Sequence, residues 1–302
     1  MSKQRVIGLF DSGVGGLTVA KQILEQLPDV RIVYFGDTAR VPYGNRSQDE
    51  LIRFGEESIT FLIGQGAEAI VVACNTSSAT ALPALKEKFD IPMIGMIDPG
   101  ARLAVKKTIA GRIGLIATET TVRSKAYSSG VSRALARGIL PEDPTLRSAW
   151  QEGEQAITLV KAQGCPLFVP LIEAGLANSL EARGIAQTYL APLQSAGVDA
   201  LILGCTHYPF LEPVLKEILG DEVLIIDPAL AVLEELKELL KRMNEQDERR
   251  FDPSADLAMA AGVSGKSQWR ARYYVSGDPG LFKQVGNTLL QKQIEFVEQV
   301  HL

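Results

Sequence analysis

Short apolar runs rich in β-branched residues alternate along the chain with stretches of helical periodicity, and small-residue turns separate them. The opening unit shows the pattern: Arg5 to Phe10 predicts a strand, Asp11 to Gly16 a glycine turn, and Gly16 to Leu27 a helix. Further strands are predicted over Arg31 to Phe35, Glu68 to Ala73 and Pro92 to Ile97, each separated by enough residues for a crossover helix. A second series starts at Arg112 to Ala117, continues through Pro166 to Leu171 and ends at Asp199 to Gly204. After Pro209 come a helix, a strand at Glu222 to Ile226, a helix near Ala229 to Met243 and a strand at Arg270 to Val275, all assigned back to the first unit. The expected fold class is therefore α/β, two α/β domains with mainly parallel sheets: residues 1–98 plus 208–302, and residues 99–207. Arg137 to Gly164 and Asn244 to Gly265 fit neither pattern and read as surface excursions, while Leu281 to about Val300 reads as a terminal docking helix.

Composition narrows the classes without changing that picture. A chain of 302 residues, 46% hydrophobic and 22% charged, has enough apolar material for two cores without disulfide or metal staples. A formal net charge of −5, a pI near 5.3 and the lack of a long basic run argue against nucleic acid as a partner. No apolar run approaches the roughly 18 residues of a spanning helix, so neither membrane insertion nor export is expected. Three cysteines are an odd and sparse set, which suggests free thiols, a reducing compartment and a cytoplasmic address.

Two of those cysteines share a setting. Ile70-Val71-Val72-Ala73 runs into Cys74-Asn75-Thr76-Ser77-Ser78, and Leu201-Ile202-Leu203-Gly204 runs into Cys205-Thr206-His207. The carboxyl ends of parallel strands are where α/β domains bind ligands, and the following helix start favours a thiolate. One such cysteine reads first as a buried core residue. Two matched ones, each followed by hydroxyl and amide side chains, read as chemistry. Their separation excludes a CxxC redox pair. Two thiols facing each other across a cleft suit inversion at a Cα, one removing the α-proton and the other returning a proton to the opposite face. A single nucleophilic cysteine and a disulfide switch remain alternatives.

Around them, Asp11 heads the turn Ser12-Gly13-Val14-Gly15-Gly16, where it can orient or help deprotonate a thiol; the turn lacks the last glycine of a dinucleotide fingerprint. His207 can tune or protonate Cys205, and Glu173 is a carboxylate of the second domain whose bland reading is a surface residue. Cys165 reads as a structural thiol. Ala260 to Ser267 imitates a P-loop but lacks its first glycine and precedes a strand. Too few ligands gather anywhere for a metal site.

The segments Phe10 to Gly16, Asp37 to Gly44, Ala73 to Ser77, Pro166 to Leu171 and Gly204 to Pro209, with the tail Tyr274 to Pro279, resemble as a set the glutamate racemases of the cofactor-independent aspartate and glutamate racemase superfamily. The resemblance implies an active site in the cleft between two domains, with Cys74 taking the α-proton of D-glutamate and Cys205 that of L-glutamate. It makes Asp11 the auxiliary group near Cys74, and Glu173 and His207 those near Cys205. Substrate contacts carry over to Asp11, Ser12, Tyr43, Gly44, Asn75, Thr76, Thr206 and His207. It further implies no cofactor and no metal, glutamate as the small-molecule partner, a homodimer, and D-glutamate for peptidoglycan synthesis. Between about Val131 and Gly164, and again between about Glu245 and Gln268, the chain departs from the usual family pattern. A relative acting on aspartate, or a non-catalytic amino-acid-binding or thiol-switch protein, are the other readings.

Overall fold

The computed structural model describes residues 4–250, 269–291 and 293–302. The first stretch runs β1 (Arg5–Asp11), α1 (Leu17–Gln26), β2 (Val30–Gly36), α2 (Gln48–Gly64), β3 (Ala69–Val72), α3 (Asn75–Thr80), α4 (Leu82–Lys88), β4 (Met93–Gly95) and α5 (Ile97–Lys107). Next come β5 (Arg112–Ala117), α6 (Glu119–Ser124), α7 (Ala126–Ala136), α8 (Pro144–Gln151), β6 (Thr158–Gly164), α9 (Phe168–Glu173), α10 (Leu180–Ser195), β7 (Ala200–Gly204), α11 (Glu212–Leu219) and β8 (Leu224–Ile226). The chain closes with α12 (Pro228–Arg250), β9 (Ala271–Val275), α13 (Pro279–Leu290) and β10 (Val297–Gln299). Two sheets result, in the orders β10-β9-β2-β1-β3-β4 and β6-β5-β7-β8, and every pairing is parallel.

The apolar runs are continuous because both faces of the central strands are covered. Along β1, Ile7 and Leu9 enter one core with Tyr34, Leu17 and Leu236, while Val6 and Phe10 enter another with Phe35, Phe54 and Leu85. The second sheet repeats this, with Ile113 and Leu115 facing α5 and α7 residues such as Ala101 and Val131, and Ile116 facing Phe168, Ile172 and Leu190 of α9 and α10. Side-chain caps place the helix starts, among them the Ser47–Glu50 capping box of α2 and Thr118 at the head of α6.

Four sequence expectations are corrected. Pro166 to Leu171 is not a strand: α9 starts at Phe168, and the strand of this region is β6, inside the stretch read as an excursion. Pro166 and Pro170 cannot donate to a ladder, whereas β6 is a half-exposed edge strand whose pattern lacks a continuous apolar run. The strand returned to the first domain with residue 208 onwards, β8, instead pairs with β7, so the second sheet extends to Ile226 and the chain crosses back only through α12. Third, the terminal helix stops at Leu290, with Gln291 left-handed at φ 50°, and β10 follows as an edge strand. The buried residues Ile294, just before β10, and Val297 within it lie three apart, a spacing that imitates a helix. Fourth, the Arg137 to Gly164 excursion holds α8 as well as β6. Most of the second excursion and the P-loop imitation lie outside the described residues. Among the described residues no helix is long and apolar enough to cross a membrane.

Candidate active site

The carboxyl ends of both sheets open on one cavity of about 470 Å³, walled by Ser12, Cys74, Asn75 and Thr76 from one side and by Thr118, Glu173, Cys205 and His207 from the other. Asp11 ends β1 and is fully buried, with the backbone N–H of Gly13 donating to its carboxylate at 3.0 Å. Burial pushes the Asp11 carboxyl up from the usual range, against the pull of His207 and of nearby backbone N–H groups. Cys74 follows β3 and is the residue before α3; its thiol donates to the Ser12 hydroxyl at 3.6 Å. Burial first, and the Asp11 charge second, push the Cys74 thiol up to about 11.

Cys205 follows β7 in the same way but meets different neighbours. Its sulfur lies 3.8 Å from His207 Nδ1, and His207 Nε2 lies 2.9 Å from the Glu173 carboxylate at the end of α9. Burial opposes the His207 charge, but hydrogen bonds to Cys205 and Glu173 outweigh it and lift the imidazolium to about 10. At neutral pH the ring is therefore cationic, and the resting protein presents a counter-charge to Cys205 and none to Cys74.

Hydroxyls stitch the two walls together. Thr76 Oγ1 lies 2.9 Å from Thr118 Oγ1 and 3.4 Å from Thr121 Oγ1, and Thr120 donates to the Gly44 carbonyl. Thr206 donates to Asp11 at 3.5 Å, and Thr18 donates to the Thr206 carbonyl at 3.2 Å. Gly15 is required by this approach, since a β-carbon there would overlap both the Thr206 hydroxyl and the His207 ring. The Tyr43 hydroxyl donates to the buried Asp37 carboxylate, which also accepts from Arg40 at 2.6 Å and Ser276 at 2.7 Å. What Tyr43 offers the cavity is thus its ring and backbone.

All the residues singled out in the sequence gather here: Asp11 sits directly beneath the cavity and the rest line it. The sequence reading missed Thr118 and Glu119, which also line the cavity, and Thr121 behind them; Cys165, read as a structural thiol, lines it as well. Thr118 to Thr121 follow strand β5, so the same signal that marked residues 74–78, a buried strand running into hydroxyls, was available. Neither lysine nor arginine lines the cavity among the described residues, so the donors open to an anionic ligand there are neutral groups and His207, beside the carboxylates Glu119 and Glu173. Among the described residues, no group of three or more His, Cys, Asp or Glu side chains is placed to hold a metal ion.

Residues 7–236 match the model of a family described as Asp/Glu/hydantoin racemase. The chain belongs to that family. It is 43% identical to a glutamate racemase of Desulforudis audaxviator, over 98% of this chain and 97% of the relative. Among solved structures it is similar to a glutamate racemase isoform of Bacillus anthracis, with a TM-score of 0.80, 35% identity, and coverage of 99% of this chain and 98% of that one. A glutamate racemase of Francisella tularensis solved with D-glutamate gives a TM-score of 0.77 at 32% identity, over 99% of this chain and 98% of that one. The span matched to the Asp/Glu/hydantoin racemase family contains every residue lining the cavity, so the family assignment and the site rest on the same part of the chain.

Proposed function

We propose that the protein interconverts L- and D-glutamate by passing the α-proton between two thiols, Cys74 and Cys205. The observation that carries this reading is that two buried cysteines, each within two residues of the end of a parallel strand, face one cavity from two sheets. With L-glutamate bound, the Cys205 thiolate takes the α-proton: the Cα–H bond breaks, an S–H bond forms, and the electron pair passes into the substrate's α-carboxylate. Cys74, held as a thiol by burial and by Asp11, then gives its proton to the opposite face, yielding D-glutamate and a Cys74 thiolate. The reverse reaction runs the same steps backwards. A thiol pushed up to about 11 is a strong base once deprotonated, which suits so weak a carbon acid.

His207 stabilises the Cys205 thiolate and Glu173 keeps the ring charged and oriented. Ser12 and Asp11 serve Cys74, while Asn75, Thr76, Thr206 and the Tyr43–Gly44 turn form the surface that receives the two substrate carboxylates. The names carried by the relatives favour glutamate over aspartate. D-glutamate made in this way, in the cytoplasm and without a cofactor, feeds peptidoglycan synthesis, and the active form is a homodimer, as the resemblance implies. The test is circular dichroism of the purified protein with L-glutamate or L-aspartate, in reducing buffer with a chelator and no pyridoxal phosphate. Optical activity lost with L-glutamate alone is the expected result. Loss with aspartate alone corrects the substrate, and no change with either overturns the reading.

A further inference from the structure

Tyr127 is a buried phenol that the reaction described above does not use. Its ring belongs to the core formed by α5, α7 and the second sheet, where Gly100 leaves room for it. Its hydroxyl donates across to the first sheet's side of the cleft, to Asn75 Oδ1 at 2.6 Å. Asn75 is the first residue of α3, is 3% exposed and lines the cavity. Its Nδ2 is buried and has no hydrogen-bond partner among the described residues. We propose that Tyr127 is a positioning residue for substrate binding: from the second domain it fixes the polarity of the Asn75 carboxamide, oxygen towards the phenol and NH2 left free to donate to a substrate carboxylate. The inference rests on the reading of Asn75 as a substrate contact.

The polarity follows from hydrogen counting. A phenol carries one hydrogen, and here the only acceptor recorded for it among the described residues is Asn75 Oδ1. Turning the amide over would strand that hydrogen in the core and present an oxygen, not a donor, to a substrate carboxylate. Burial, together with the charges of Asp227 and Cys205, pushes the phenol far above its usual range, so it remains a donor at every working pH. An unpaired buried NH2 is costly in the free enzyme and becomes satisfied when a carboxylate arrives, which converts its burial into affinity. Because donor and amide sit on opposite walls, the amide is set only while the walls are together.

The experiment is steady-state racemisation followed by circular dichroism from both enantiomers, for wild type, Tyr127→Phe, Asn75→Ala and the double variant, with thermal melting alongside. Tyr127→Phe keeps the ring and removes the donor, and is expected to raise KM for glutamate by roughly tenfold while kcat changes by less than about threefold. The double variant is expected to match Asn75→Ala alone, since the hydroxyl acts only through the amide. Asn75→Asp keeps the Tyr127 bond but exchanges the donor for an acceptor, and is expected to raise KM more than Asn75→Ala does. It also serves should Tyr127→Phe fail to fold. A wild-type KM in Tyr127→Phe beside an impaired Asn75→Ala overturns the proposal alone, as do losses that multiply in the double variant. A wild-type KM in Asn75→Ala, or a smaller effect of Asn75→Asp, removes the Asn75 contact and the proposal with it. An inactive wild type removes the proposed function beneath both.

Discussion

The Cys74 and Cys205 halves of the cleft share a topology and differ in their electrostatics. Each thiol follows a buried parallel strand and precedes a short helical turn. Around Cys74 stand a hydroxyl and a buried carboxylate, which hold the proton on sulfur. Around Cys205 stands the His207 ring, which its hydrogen bonds to Cys205 and Glu173 hold towards the charged form. The strand end decides where a thiol is presented, and its neighbours decide the charges that it meets there. In the proposed mechanism the resting enzyme is therefore set for L-glutamate, with base and acid already assigned. Enantiomers have equal free energies, so kcat/KM must be the same in both directions at every pH; the asymmetry can show only in kcat and KM taken separately, or in variants that disable one half.

Removing each thiol is the strongest way to break the comparison. Cys74→Ser and Cys205→Ser are each expected to lower racemisation by on the order of 10³-fold or more, since a serine cannot hold the acid/base role at neutral pH. In deuterated water, Cys74→Ser keeps the Cys205 base and is expected to exchange the α-hydrogen of L-glutamate without inverting it. Cys205→Ser is expected to do the same with D-glutamate only. NMR of the recovered substrate reads this directly, and retained racemisation in either variant would falsify the two-thiol assignment.

A smaller effect is expected from Glu173→Gln, which touches one half alone. His207 is raised in the folded protein, so its charged form is present below its pKa and is lost as pH rises through about 10. In the proposed mechanism, kcat/KM is flat through neutral pH and falls as His207 and then Cys74 lose their protons. Glu173→Gln removes one of the groups that raise His207, so the falling limb moves to lower pH. The substrate's amino group titrates in the same region for both proteins, so the shift between the two profiles isolates the enzyme. A limb at the same pH in both would mean that Glu173 does not govern His207.

How much of this was legible in sequence follows the range of the interactions. Both thiols, Asp11 and His207 could be read because a buried strand running into polar residues is a local pattern. Glu173 closes helix α9, where a strand was expected, and it comes to His207 through a contact 34 residues away in sequence. The return of the chain at α12 was misplaced because β8, three residues long and half-exposed, carries no sign of which sheet it joins. Tyr127 is invisible for the same reason, since nothing around it in sequence announces Asn75, 52 positions earlier. Long-range pairing decided each case, and a single sequence records hydrophobic period far better than partners.

Cys165 turns the comparison of two thiols into a comparison of three. It too comes directly after a parallel strand, β6, and it too lines the cavity. Position alone therefore does not separate it from Cys74 and Cys205; neighbours do. No imidazole or carboxylate side chain meets its sulfur among the described residues: the thiol donates to the Gln163 carbonyl at 3.6 Å, and burial pushes it well above the usual thiol range. It is packed against Ile116, Phe168 and Ile172, as a small apolar residue would be. Cys165→Ala is accordingly expected to leave kcat/KM within about twofold and to cost roughly 1 kcal/mol of stability, measured by denaturant unfolding. A loss of activity close to that of Cys205→Ser, with the fold intact, would break the argument that neighbours make the acid/base thiol, and would bring Cys165 into the proton path.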